Sequence, residues 1–127
     1  MESGIQAVQG PSDFQLNCSF TEKPGDVVLL ITLKALRDSM FKTIATFTPS
    51  NIGTPPAFTP DGSYLIGRAN LTNPTIETRT ATLTFFQVEC EDETDYQCEV
   101  NYQDGLTGTT PPMSLPFAST NVTVKGN

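Results

Sequence analysis

Ten prolines and nine glycines punctuate the 127 residues, so about one residue in seven interrupts regular structure. That density suits many short extended segments joined by turns, and it disfavours long helices. Helical periodicity is weak along the whole chain. Phe14, Leu16, Cys18 and Phe20 instead alternate with Gln15, Asn17 and Ser19, a period of two that marks a half-buried strand. The run Val27 to Lys34 turns polar on one phase at Thr32 and Lys34, which leaves Leu29, Ile31 and Leu33 as the inward set. Thr43 to Thr48, Ser63 to Leu71, Thr80 to Val88, Asp95 to Tyr102 and Ser119 to Lys125 complete the expected strands. Pro49 to Gly62 reads as loop or edge, because proline cannot donate to a sheet ladder. Gln103 to Pro116 reads as a turn-rich loop. With no internal repeat and no linker, the pattern predicts one all-β domain, a sandwich or a barrel, over residues 1–127 with its core at about 5–125.

Composition narrows the chemistry. Seven basic against fourteen acidic residues give a net charge of -7, and such a surface repels phosphate backbones, so nucleic acid is excluded as a partner. Histidine is absent, which removes the usual general base and the imidazole metal ligand. There is no Gly-x-Ser-x-Gly or Ser-Lys arrangement, no phosphate-cradling glycine loop and no zinc pattern. Acidic residues cluster on a turn, where glycosidase chemistry would need them across a cleft. The expectation is a protein that is not an enzyme and uses no cofactor or metal. Hydrophobic residues make up 37% of the chain, enough for a core but a thin one.

Three cysteines allow one pair and leave one over. Disulfides persist in oxidising compartments, so any pairing argues for an extracellular or lumenal protein. Three glycosylation sequons point the same way, at Asn17-Cys18-Ser19, Asn70-Leu71-Thr72 and Asn121-Val122-Thr123. Met1-Glu2-Ser3-Gly4 is too polar for a secretory leader, and the longest apolar run, Val27 to Ile31, is too short to span a bilayer. No direct membrane insertion is expected. The chain reads as an excised ectodomain of a cell-surface or secreted protein, with Met1 added for expression.

The passage from Leu83 to Cys98 is the most specific in the sequence. It resembles the strand E to strand F passage of a variable-type (V-set) immunoglobulin domain. Leu83, Phe85 and Val88 stand 15, 13 and 10 residues before Cys98, at that family's core positions. Asp92 stands at its acidic position and Tyr96 at its tyrosine corner, where a buried ring returns its hydroxyl to the backbone and pins a chain reversal. The resemblance implies a Greek-key β-sandwich and a Cys18–Cys98 disulfide, with Phe14, Leu16 and Phe20 sharing the core face of Cys18. It also implies an ion pair between Arg68 and Asp92. On the surface such a pair contributes at most about 1 kcal/mol, so removing Arg68 should lower the melting temperature only modestly.

The departures from the family pattern are equally specific. There is no tryptophan to pack on the disulfide. Ile31 falls closest to its position and Leu33 next, which leaves Phe14, Phe20 and Phe85 to fill the volume. The strand G motif Phe-Gly-x-Gly is replaced by Phe117-Ala118-Ser119-Thr120, unlike antigen-receptor chains that pair through that bulge. In texture the chain looks more like invertebrate immunoglobulin-type immune receptors or secreted recognition proteins.

Cys90 lies at the E–F turn among Glu89, Glu91, Asp92, Glu93 and Asp95. Three readings stand side by side: an unpaired, unreactive thiol; a disulfide to another chain or to a part of the protein outside this sequence; or an alternative pairing within the domain. The acidic cluster lacks the spacing and the glycine of a helix-loop-helix calcium site, and a solvated turn is expected. By this resemblance the domain is an extracellular recognition module for a protein partner, either a distinct ligand or a like domain in a homodimer. Two surfaces compete. One is the F–G loop end with Tyr102, Asp104, Leu106 and Met113; the other is the outer face of strands C, C′, F and G, to which Phe41, Ile44 and Phe47 belong unless they lie in the core. The roles implied are innate immune recognition, self-recognition or adhesion. A lectin-like domain for carbohydrate or small ligands, and a structural spacer in an adhesion chain, are the alternatives.

Overall fold

A computed structural model describes residues 4–19, 27–48, 55–75, 79–103 and 113–126. The chain enters as β1 (Ile5–Val8) and β2 (Gly10–Pro11), followed by β3 (Gln15–Ser19) and the long β4 (Val27–Arg37). β5 (Met40–Phe47), β6 (Ala57–Phe58), β7 (Ala69–Thr72) and β8 (Thr80–Phe85) come next. The last three are β9 (Gln87–Val88), β10 (Thr94–Gln103) and β11 (Met113–Lys125). One sheet has six strands in the order β1-β11-β10-β4-β5-β6, and the other has three, β3-β8-β7. A short β2–β9 ladder stands apart. β1 pairs parallel with β11, and the other pairings between the described strands are antiparallel.

Alternation decides which side chains meet between the sheets. In β3 and β8 every second residue is buried, which places Leu16, Cys18, Ala81, Leu83 and Phe85 inward. β4 and β10 contribute Ile31, Leu33, Ala35, Tyr96, Cys98 and Val100 from the facing sheet. The Cys18–Cys98 disulfide joins the two sheets with its Cα atoms 6.2 Å apart. Ile31 and Leu33 are fully buried, and Phe85 stacks on half-buried Phe14 with ring centroids 5.4 Å apart. Phe20 lies outside the described residues. A further large apolar side chain, Phe47 of β5, is also wholly buried. Ile44 is buried beside it in the core cluster, so of the three residues considered for the outer face only Phe41 is exposed.

Four expected boundaries move. Ser63 to Leu71 is not one strand: Pro60–Leu65 forms a 3-10 turn, and β7 begins only at Ala69. Pro60 opens that turn, where its missing N–H costs nothing. Thr59 anchors it, donating from its backbone N–H to the Ile44 carbonyl at 3.0 Å and from its hydroxyl to the Thr43 carbonyl. Gly62 is required there, since a Cβ would overlap the Ile44 carbonyl.

Thr80 to Val88 divides at Phe86, which turns outward. The N–H groups of Phe86 and Gln87 both donate to the Arg68 carbonyl, at 3.0 and 3.3 Å, and this bulge diverts the chain to β2. β5 starts at Met40 because Asp38 and Ser39, at φ 54° and 67°, close a two-residue hairpin with β4. β11 starts at Met113, well before Ser119, and accommodates Pro116 beside a register break opposite Cys98 and Glu99. β1 reaches only Val122 to Lys125, so Pro116 lies on a stretch with one neighbour and its lacking donor disrupts no second ladder.

Candidate functional site

Two regions concentrate side-chain chemistry. The first is the corner between β9 and β10. Cys90–Asp92 forms a 3-10 turn closed reciprocally: Glu89 N–H donates to Asp92 Oδ2 at 2.7 Å, and the Glu89 carboxylate accepts from the Asp92 backbone N–H. Arg68 approaches from the segment before β7. Its Nη1 donates to Asp92 Oδ2 at 2.8 Å and Nη2 to Asp92 Oδ1 at 3.1 Å, a bidentate fork. The same guanidinium donates to the Gln87 carbonyl at 3.0 Å and to Glu91 Oε1 at 3.0 Å. The Asp92 side chain is 1% exposed and that of Arg68 16%, so this is an enclosed pair and not a surface one. The hydrogen bond to Asp92 raises the Arg68 pKa, outweighing the burial that opposes it.

Tyr96 completes the corner, donating from its hydroxyl to the Asp92 carbonyl at 2.7 Å. Tyr64 lies under two cations, with the Arg37 guanidinium 4.2 Å and that of Arg68 5.9 Å from its ring centroid. Burial pushes both phenols up from 10.0. The protonated phenol is therefore favoured in the folded state. Its stability contribution is complete below about pH 10, where the unfolded phenol is also neutral, and is lost as pH rises above that. Urea midpoints should hold from pH 7 to 9 and fall from pH 10 to 11. Tyr96→Phe should be weaker at pH 8 but should fall less steeply; parallel curves for the two proteins would remove Tyr96 as the cause.

The acidic residues around this corner are occupied. Glu93 Oε1 accepts from Val124 N–H at 2.8 Å, and Asp95 Oδ1 accepts from Asn121 Nδ2 at 2.7 Å. They pin the turn to β11, as Glu91 and Asp92 pin it to Arg68. Among the described residues no group of His, Cys, Asp or Glu is placed to hold a metal ion. Cys90 is exposed and unpaired, its thiol donating to Gln9 Oε1 at 3.4 Å.

The second region is the outer face of the six-stranded sheet. Outward positions of β4 and β10 are half-buried by their neighbours, and Lys34 Nζ donates to Glu99 Oε2 at 2.8 Å across the two strands. Thr32 lies in the same row, and its Oγ1 is buried with no partner among the described residues. β10 ends at Gln103 and β11 begins at Met113, so the loop surface proposed from sequence falls largely outside the described residues. The side chains of Tyr102 and Met113 lie outside the described residues, as do Asp104 and Leu106 altogether. Sequence reasoning placed Lys34 on the outward phase but missed the pair with Glu99. Its signal was the alternation of β10, where Gln97, Glu99 and Asn101 fall opposite the buried phase.

No family model matches the sequence, and no curated protein matches it. Among solved structures, 1901 chains match, so the fold is common and does not by itself select a ligand. One is murine CRIg, a V-type domain of the immunoglobulin superfamily, with a TM-score of 0.70 at 16% identity. The match covers 95% of this chain and 91% of that one. Among the described residues no helix is long and apolar enough to cross a membrane.

Proposed function

We propose that this chain, which folds as an immunoglobulin V-type domain, is an extracellular recognition module that binds a protein partner through the outer face of β4, β5, β10 and β11. These strands correspond to C, C′, F and G of that fold. The observation that carries the reading is the polar row of Thr32, Lys34, Gln97, Glu99 and Asn101 on this face, in which Gln97 stands opposite Lys34 and Glu99 opposite Thr32. Half-buried polar side chains held in register across neighbouring strands present fixed donors and acceptors, which a docking protein matches with its own backbone and side-chain groups. A like domain is one candidate partner, and exposed Cys90 offers the thiol for a covalent homodimer. The interchain disulfide favours the same setting outside the cell as Cys18–Cys98.

Sedimentation of the domain with and without reductant, followed by a panel of extracellular ectodomains and an oligosaccharide array, tests this reading. Expected is binding to a protein, or self-association, that weakens at least tenfold in Gln97→Arg or Glu99→Arg and is unchanged in Thr82→Arg on the opposite sheet. Binding confined to oligosaccharides would transfer the domain to the lectin-like class.

A further inference from the structure

The outer face of the three-stranded sheet differs in kind from that of the six-stranded one. Its outward positions are Gln15, Asn17 and Ser19 on β3, Thr80, Thr82 and Thr84 on β8, and Asn70 and Thr72 on β7. None is charged, although the chain as a whole carries 21 charged residues. Two of the three sequons lie here, one on each flanking strand. Asn17 stands opposite Thr82 and Asn70 opposite Thr84, so both asparagines border the threonine row of β8, and both are exposed.

We propose that Asn17 and Asn70 carry N-linked oligosaccharides that cover this sheet face, and that Asn121 is modified less. The inference rests on the reading of the domain as extracellular. The donor class is a lipid-diphosphate-linked oligosaccharide. The Asn Nδ2–C1 bond forms as the C1–O bond to the diphosphate breaks, and one amide proton leaves with the lipid diphosphate. In the folded domain Thr82 Oγ1 donates to Asn17 Oδ1 at 2.9 Å, a contact through the amide oxygen that a glycan on Nδ2 leaves in place. Asn121 differs, since in the folded domain its Nδ2 donates to Asp95 Oδ1, a bond that a glycan on that nitrogen would crowd.

The order of synthesis separates the sites further. In the folded domain each sequon is part of a strand, so the acceptor must be used before its strand pairs. Cys98 follows Cys18 by 80 residues. At synthesis rates of about 5–20 residues per second, Asn17 therefore precedes closure of the disulfide by roughly 4–16 s. Asn70 also precedes Cys98. Asn121 emerges after both cysteines, when β10 is ready to receive β11. A glycan layer over β3, β8 and β7 leaves the opposite sheet as the open face for a partner.

The test is expression with an added secretory leader in animal cells and recovery of the protein from the medium. Enzymatic release of N-glycans in heavy-oxygen water then marks each used asparagine by mass. Expected are high occupancy at Asn17 and Asn70, lower occupancy at Asn121, and one mobility step lost in each of Asn17→Gln and Asn70→Gln. Secreted protein bare at Asn17 and Asn70, or modified chiefly at Asn121, would overturn the proposal. Because secretion is imposed by the leader, a bare protein counts against these sites and leaves the recognition reading to its own binding assay.

Discussion

Replacing Cys18 and Cys98 together by alanine should lower the unfolding free energy by about 4–5 kcal/mol on the chain-entropy account of a closed loop. The separation of 80 residues is what makes the effect large. A domain of this size is stable by only about 5–15 kcal/mol, so the doubly substituted protein should lose between about a quarter and nearly all of its stability. Urea titration of the oxidised protein, the reduced protein and the double variant provides the measurement. The last two curves should nearly coincide. A loss below about 1 kcal/mol would mean that the β-sheet ladders and core hold the sandwich without the bridge.

Asp92→Ala should cost nearly as much, about 3–5 kcal/mol, because it breaks an enclosed bidentate pair, leaves Arg68 with only the partly exposed Glu91 and the Gln87 carbonyl, and removes the acceptor of the Glu89 N–H. Arg68→Ala should fall in the same range, well above the modest effect expected of a surface pair, since it leaves the carboxylate of Asp92 in a site with 1% exposure. The informative protein is the double replacement Arg68→Met with Asp92→Leu. Removing both charges leaves neither unpaired, so its cost should be clearly less than the sum of the single changes. Additive losses in the cycle would show that the two residues act separately, against the bidentate geometry.

The parts of this fold that were legible in sequence are those fixed by local pattern. Alternation in β3, β8 and β10 is a two-residue signal that burial enforces along each strand. The spacing of Leu83, Phe85, Val88, Asp92 and Tyr96 from Cys98 carries the corner with it. What escaped depends on contacts between distant segments. Phe47 joins the buried core opposite Ile31 because β5 pairs alongside β4, and nothing adjacent in sequence marks it as inward. The Asp38–Ser39 turn contains no glycine, so its positive φ values were unsignalled. The 3-10 turn after Pro60 requires the Ile44 carbonyl, 16 residues from Pro60 along the chain, to be in place beside Gly62. For the candidate binding face, Lys34 and Glu99 were each on a recognisable outward phase. Their pairing required knowing that β10 lies next to β4.

The pairing of the first strand with the last has a mechanical consequence. β1 and β11 run parallel in the register Ile5 with Val122 through Val8 with Lys125. A pull entering ahead of Ile5 and leaving beyond Lys125 draws the two strands past one another lengthwise. Their hydrogen bonds then bear the load side by side and must fail together, whereas a hairpin pulled open at one end loses its bonds in turn. Resistance to such force is governed by the unfolding rate and not by equilibrium stability. A module that holds a partner between two surfaces under flow or traction would draw on this arrangement directly.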